Sequence, residues 1–123
     1  MYPKQNTIIV VEDEILIRML AAEVLGDAGY RVIEASGADE ALPIFEAHDG
    51  NIQCLFTDIH MPGRLNGLEL AHYVCTHWPA VKLIVTSSDT DRKQSDLPLG
   101  GVFMLKPYKQ PNLIDQVQTL LAA

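Results

Sequence analysis

Short apolar runs recur at residues 7–11, 30–35, 52–57, 82–86 and 102–105, each rich in Val, Ile, Leu or Phe. They lack the alternation of a half-exposed strand, so they are expected to be strands of a parallel sheet covered on both faces. Between most of them the apolar spacing turns helical. After Asp13, the residues Ile17, Leu20, Ala21, Val24 and Ala28 form one stripe, and Gly29 stands where a helix C-terminus favours glycine. Residues 38–47 form a second helical stretch, with Ala41, Leu42 and Phe45 inward. Pro43 lies inside it, which a helix tolerates in its early turns and otherwise answers with a kink. Residues 67–77 form a third, stopped before Pro79. Leu113, Val117, Leu120 and Leu121 align on a last helix, with Pro111 suited to its first turn.

Strand and helix alternating along 123 residues is the pattern of a doubly wound α/β sandwich with right-handed crossovers. The expected topology is flavodoxin-like, a five-stranded parallel sheet in the order 2-1-3-4-5. One crossover breaks the pattern. Residues 87–96, SSDTDRKQSD, contain no apolar side chain, so a helix there has no stripe with which to dock and should be short, loose or absent. Ordering such a segment costs ~1–2 kcal/mol per residue in backbone entropy. Residues 88–96 are therefore expected to be mobile, pinned at the far end only by Leu97 and Leu99.

The length suits a single domain, residues 1–123, with no repeat, linker or low-complexity tract to suggest another. A net charge of −7 argues against nucleic-acid binding, which needs a basic face to displace counterions. No apolar run reaches the ~18 residues of a membrane span, and the opening MYPKQNT has no signal-peptide pattern. Cys54 and Cys75 lie within apolar stretches and are expected to be reduced, buried thiols, which points to the cytoplasm.

The candidate chemistry lies where strands end. In a parallel sheet all C-terminal ends share one edge, and ligands bind there. The first strand breaks into Glu12-Asp13, the third ends on Asp58, the fourth on Thr86 and the fifth on Lys106. Neighbouring strands are ~4.8 Å apart, which puts Asp13 and Asp58 roughly 5 Å from each other. Two carboxylates at that distance repel by ~3 kcal/mol at an effective dielectric near ~20, and Glu12 adds to this. Lys106 supplies one compensating charge, and a hard divalent cation, Mg²⁺ above all, would supply the rest. An ionised carboxylate beside a cation, a lysine and a hydroxyl is equipped to attack phosphorus without a general base.

Val10-Val11-Glu12-Asp13-Glu14, Thr57-Asp58-Ile59-His60-Met61-Pro62, Val85-Thr86-Ser87 and Leu105-Lys106-Pro107-Tyr108 resemble, in order and spacing, the four motifs of the response-regulator receiver family. The likeness runs over residues 7–121, nearly the whole chain. It implies a stand-alone, chemotaxis-regulator-like receiver in which Asp58 accepts a phosphoryl group from a histidine kinase or a histidine phosphotransfer protein. It also implies that Glu12, Asp13, Asp58 and the backbone carbonyl of His60 arrange the Mg²⁺, and that Thr86 and Lys106 contact the phosphoryl oxygens. The Lys106-Pro107 peptide is cis by the same likeness. Phe103 holds the family's aromatic switch position, which moves inward when Thr86 shifts toward phosphate. One departure is local: Gly63-Arg64-Leu65 precede Asn66-Gly67 where the family usually has two residues. Such a chain is not an enzyme beyond its own phosphotransfer and dephosphorylation, and it signals through a downstream protein.

If Ile17, Leu20, Ala21 and Val24 face the core, Ile15, Met19 and Ala22 fall on the opposite side at ~100° per residue. With Pro107 and Tyr108, they are the expected docking surface for the phosphodonor. His48, His60, His72 and His77 show no spacing that brings two onto one metal; all four are expected to be exposed, with Trp78 as a loop anchor. Two rival functions stand beside this one. An aspartyl-nucleophile phosphatase of the haloacid-dehalogenase kind would need an acid where His60 stands, and a degenerate receiver or flavodoxin-like binder would take no phosphate on Asp58.

Overall fold

The computed structural model describes residues 5–89 and 94–122. β1 (Thr7–Val11), β2 (Arg31–Ala35), β3 (Cys54–Asp58), β4 (Lys82–Ser87) and β5 (Val102–Leu105) form one parallel sheet in the order β2-β1-β3-β4-β5, the expected flavodoxin-like topology. The helices among the described residues are α1 (Ile15–Asp27), α2 (Ala38–Ala47), α3 (Gly67–His77) and α4 (Gln110–Ala122). Successive strand side chains point to opposite faces, and this sorts the core in two. Ile8, Val10, Phe56 and Ile84 pack with Ala21 and Leu25 of α1 and with Leu113 and Val117 of α4. Ile9, Val11, Leu55 and Val85 pack with Ala41 and Phe45 of α2 and with Leu70 and Val74 of α3. The expectation of strands buried on both faces holds for the three central ones. At the edges, Arg31 and Glu34 of β2 and Leu105 of β5 are exposed, because the covering helices do not extend past the outermost strands.

The stripe expected on α1 needs correcting. Ala21 and Leu25 are the fully buried residues of the helix, whereas Leu20 is 52% and Ile17 38% exposed. Both line an open groove with Val24, Pro107, Tyr108 and Leu113. The stripe is a true face of the helix, but its first turns look across that groove toward α4 and find no side chain closing it. Ile15, Leu16 and Met19 are also exposed, so the apolar surface of α1 is wider than Ile15, Met19 and Ala22, and Ala22 itself is half-buried.

The crossover between β4 and β5 lacks a regular helix among its described residues and holds a 3₁₀ turn, Gln94–Asp96. Residues 90–93 of the segment expected to be mobile lie outside the described residues. Leu97 is buried, but Leu99 is fully exposed and pins nothing. Polar side chains do what apolar ones were expected to do. Gln94 accepts a hydrogen bond from the Phe103 N–H at 3.0 Å and donates one to the Gly101 carbonyl. His72 Nε2 on α3 donates to the Asp96 carbonyl at 2.9 Å. An amide side chain carries the same donor and acceptor as a peptide, so Gln94 caps the open edge of β5 where another strand would otherwise pair. Elsewhere, Trp78 stacks on Phe45 with centroids 5.3 Å apart, the expected anchor. Cys54 is buried; Cys75 and His48 are half-buried rather than as expected. No helix among the described residues is long and apolar enough to cross a membrane.

Candidate functional site

At the C-terminal edge of the sheet, backbone pairing outlasts the strands and carries the polar residues into register. The Glu12 N–H donates to the Ala35 carbonyl at 3.0 Å, so β1 stays tied to β2 one residue past its end. Asp58 lies opposite Thr86 in the β3–β4 ladder, and the Ile59 N–H donates to the Thr86 carbonyl at 3.1 Å. The Lys106 N–H donates to the Ser87 carbonyl at 2.8 Å. Glu12, Asp58, Thr86 and Lys106 therefore leave the sheet from a hydrogen-bonded backbone. Asp58 is further fixed by the start of α3. The Gly67 N–H donates to the Ile59 carbonyl at 2.8 Å, and a Cβ added at Gly67 would lie 1.7 Å from the Asp58 carbonyl oxygen. Only glycine allows that approach. The Thr57 hydroxyl donates to the same Asp58 carbonyl at 2.8 Å.

Carboxylate oxygens of Glu12, Asp13 and Asp58 all lie within 4.8 Å of one another. Lys106 Nζ sits between two of them, 3.1 Å from Asp58 Oδ2 and 3.4 Å from Glu12 Oε1. Burial, followed by the bond to and repulsion from Asp58, pushes the Glu12 carboxyl up to about 7 against the pull of Lys106. Burial pulls the Lys106 ammonium down, yet its bonds and attraction to Asp58 and Glu12 together outweigh this and raise it. The site thus holds more negative charge than one ammonium offsets. Two buried oxygens, Glu12 Oε2 and Thr86 Oγ1, have no hydrogen-bond partner, and an unpartnered buried polar atom is costly unless something completes it. An oxygen-only donor set of this kind suits a hard cation.

The five residues expected at the strand ends (Glu12, Asp13, Asp58, Thr86 and Lys106) meet in one place. His60 is exposed just beyond Asp58. Phe103 is half-buried against the α2/α3 side of the core, in register with Val85. Tyr108 packs edge-on against Phe56 at 5.9 Å, while Pro107 is exposed and follows a cis peptide. Three contributors escaped the sequence reading: Gly67, Gln94 and Arg18. Gly67 reads as an ordinary helix start. Arg18 carried one signal, as the only charged residue between Glu14 and Glu23.

Comparison with known proteins agrees with this geometry. The sensor kinase CckA of Brucella abortus is 31% identical over 118 residues, which is 94% of this chain and 12% of that protein. The chain spans 12% to 54% of the length of the first curated relatives it matches. A response regulator receiver protein from Sinorhizobium medicae WSM419 superposes with a TM-score of 0.89 at 23% identity, covering 98% of this chain and 97% of that one, a likeness of fold. The response regulator TrrA of Thermotoga maritima, solved in complex with Mg²⁺-BeF, has a TM-score of 0.83 at 31% identity and covers 94% of this chain and 99% of that one. The family model of the response regulator receiver domain matches residues 8–118. This removes the haloacid-dehalogenase alternative, since the match runs from β1 into α4 and His60, not an acid, follows Asp58 by two residues. By that match, the chain belongs to the response regulator receiver family.

Proposed function

We propose that Asp58 accepts a phosphoryl group from the phosphohistidine of a kinase or phosphotransfer protein in a two-component or phosphorelay pathway. The observation that carries this reading is the pairing of three clustered carboxylates with two unpartnered buried oxygens, Glu12 Oε2 and Thr86 Oγ1. Glu12, Asp13 and Asp58, with the His60 carbonyl, would hold Mg²⁺, and the orphaned Glu12 oxygen supports that fit. When bound, the cation offsets charge on the phosphoryl oxygens. An Asp58 oxygen attacks phosphorus as the P–N bond breaks, its electron pair leaving on the imidazole nitrogen. Lys106, already bonded to Asp58, is placed to follow the new phosphoryl oxygens. Thr86, opposite Asp58 in the ladder, has a free hydroxyl to donate to one of them. Drawing Thr86 toward phosphate would open space beside it, into which Phe103 could move as the switch. The relative crystallised with Mg²⁺-BeF supports the same use of the site.

The phosphodonor would dock on the exposed apolar face of α1, where Ile17 and Leu20 share a groove with Pro107 and Tyr108 and where Ile15, Leu16 and Met19 extend the exposed surface. Free thiols at Cys54 and Cys75 fit a reducing compartment such as the cytoplasm. The test is labelling by acetyl phosphate with Mg²⁺. The protein should take one acid-stable, base-labile phosphoryl group, Asp58→Asn should take none, and excess chelator should stop the reaction. Label that survives either change would sink the assignment.

A further inference from the structure

Arg18 does not touch Asp58, yet it holds the turn that carries two of the three carboxylates. From the first turn of α1, its Nη1 reaches back six residues to donate to the Glu12 carbonyl at 2.9 Å. Its Nε donates to Glu34 Oε1 on β2 at 3.3 Å. The Arg18 side chain is 16% exposed and is the only charge in an otherwise apolar stretch from Ile15 to Ala22. The Glu12 carbonyl belongs to the peptide plane that joins Glu12 to Asp13. The other side of Glu12 is already tied, through its N–H to Ala35. With hydrogen bonds on both sides of Glu12, rotation of the 12–13 plane would break the bond to Arg18, so this contact restrains the directions in which the Glu12 and Asp13 carboxylates leave the backbone. Among the described residues no other side chain bonds the Glu12 carbonyl, and the α1 N-cap residue Glu14 makes no side-chain capping bond.

We infer that Arg18, oriented by Glu34, is a positioning residue that fixes the Glu12–Asp13 peptide and thereby sets the affinity of the acidic cluster for its divalent cation. The inference rests on the reading of that cluster as a Mg²⁺ site. Arginine suits the task because one planar group presents two N–H donors in fixed directions, one for the carbonyl and one for Glu34; lysine offers a point charge on a flexible stem. The sign of the effect separates positioning from charge. An arginine acting only as a nearby cation repels a dication, so its removal would tighten Mg²⁺ binding. A positioning residue lost from a metal site weakens binding, typically 10–100-fold.

The experiment is calorimetric titration of Mg²⁺ into the full chain, unmodified and as Arg18→Met, Arg18→Lys and Glu34→Ala, with thermal denaturation in chelator alongside. Arg18→Met should weaken Mg²⁺ binding about 10-fold, Glu34→Ala by a smaller factor, and Arg18→Lys should lie between Arg18→Met and the unmodified protein. Labelling of Arg18→Met by acetyl phosphate should fall at limiting Mg²⁺ and recover at saturating Mg²⁺. Unchanged or tighter Mg²⁺ binding in folded Arg18→Met, with only a lowered melting temperature, would overturn the inference. Should Arg18→Met not fold, Glu34→Ala and Arg18→Lys decide, and normal affinity in both overturns it. Mg²⁺ binding without any labelling of Asp58 would strike the phosphoacceptor reading alone, whereas no Mg²⁺ binding by the unmodified protein would strike both.

Discussion

The crossovers on either side of β4 start at the same sheet edge and end as different structures. The first becomes α3, an 11-residue helix. Asn66 and Glu69 form a reciprocal capping box at its start, and Leu70, Ala71 and Val74 bury its inner face. The second retains a three-residue 3₁₀ turn among its described residues, held by the Gln94 and His72 side chains. The difference teaches what a crossover needs. A helix over a sheet is stabilised mainly by its buried apolar face, not by its own hydrogen bonds. Without that face, the described residues make the connection with no regular helix, and polar side chains satisfy the exposed edge.

The comparison breaks most sharply at glycine. Gly67→Ala drives a Cβ into the Asp58 carbonyl and should cost ~3 kcal/mol or more, because backbone, not a yielding side chain, stands in the way. Gly100→Ala in the other crossover meets no atom within 4 Å and bears only the strain of φ +89°, about 1 kcal/mol. Chemical denaturation measures both. Similar losses would mean that the two crossovers bear equally on the sheet.

A second expectation sets the acidic site apart from both crossovers. The Glu12 carboxyl, raised from 4.5 to about 7, keeps a proton in the folded state that the unfolded chain releases. The contribution of Glu12 to the stability of the metal-free protein is therefore full below the lower value and is lost as pH rises through about 7. Mg²⁺ needs the ionised carboxylate, so its affinity should climb up to about tenfold per pH unit below that value and level off above it. Denaturation in chelator and Mg²⁺ titrations across this range should show opposite slopes. Parallel slopes would mean that Glu12 is not the titrating group.

The smallest effects sharpen the contrast in how each crossover is held. Asn66→Ala removes a helix cap and should cost about 1 kcal/mol. Gln94→Ala should cost no more than that, yet it should expose one particular amide. The Phe103 N–H, bonded to Gln94, should exchange with solvent much faster in the variant, while amides of α4 keep their rates. Unaltered Phe103 exchange would show that Gln94 does not guard the β5 edge.

The sequence by itself located the strands and put Glu12, Asp13, Asp58, Thr86 and Lys106 at one sheet edge, whereas the order 2-1-3-4-5 was the topology favoured for such an alternation and was written in no single residue. The strands and the shared edge follow from local signals: apolar runs buried between layers, and polar residues where those runs stop. The lack of a regular helix among the described residues of the second crossover was legible too, since the composition of residues 87–96 offers nothing to bury. Tertiary structure alone decided the rest. Leu20 and Ile17 sit in a regular helical stripe, but whether a stripe is buried depends on what stands opposite, and here that is an open groove. Gly67 matters because the Asp58 carbonyl arrives beside it, Gln94 because an edge strand passes within reach, and Arg18 because the chain turns back over Glu12. In each case the partner is set by how elements pack, and a side chain's spacing along its own element carries no record of it.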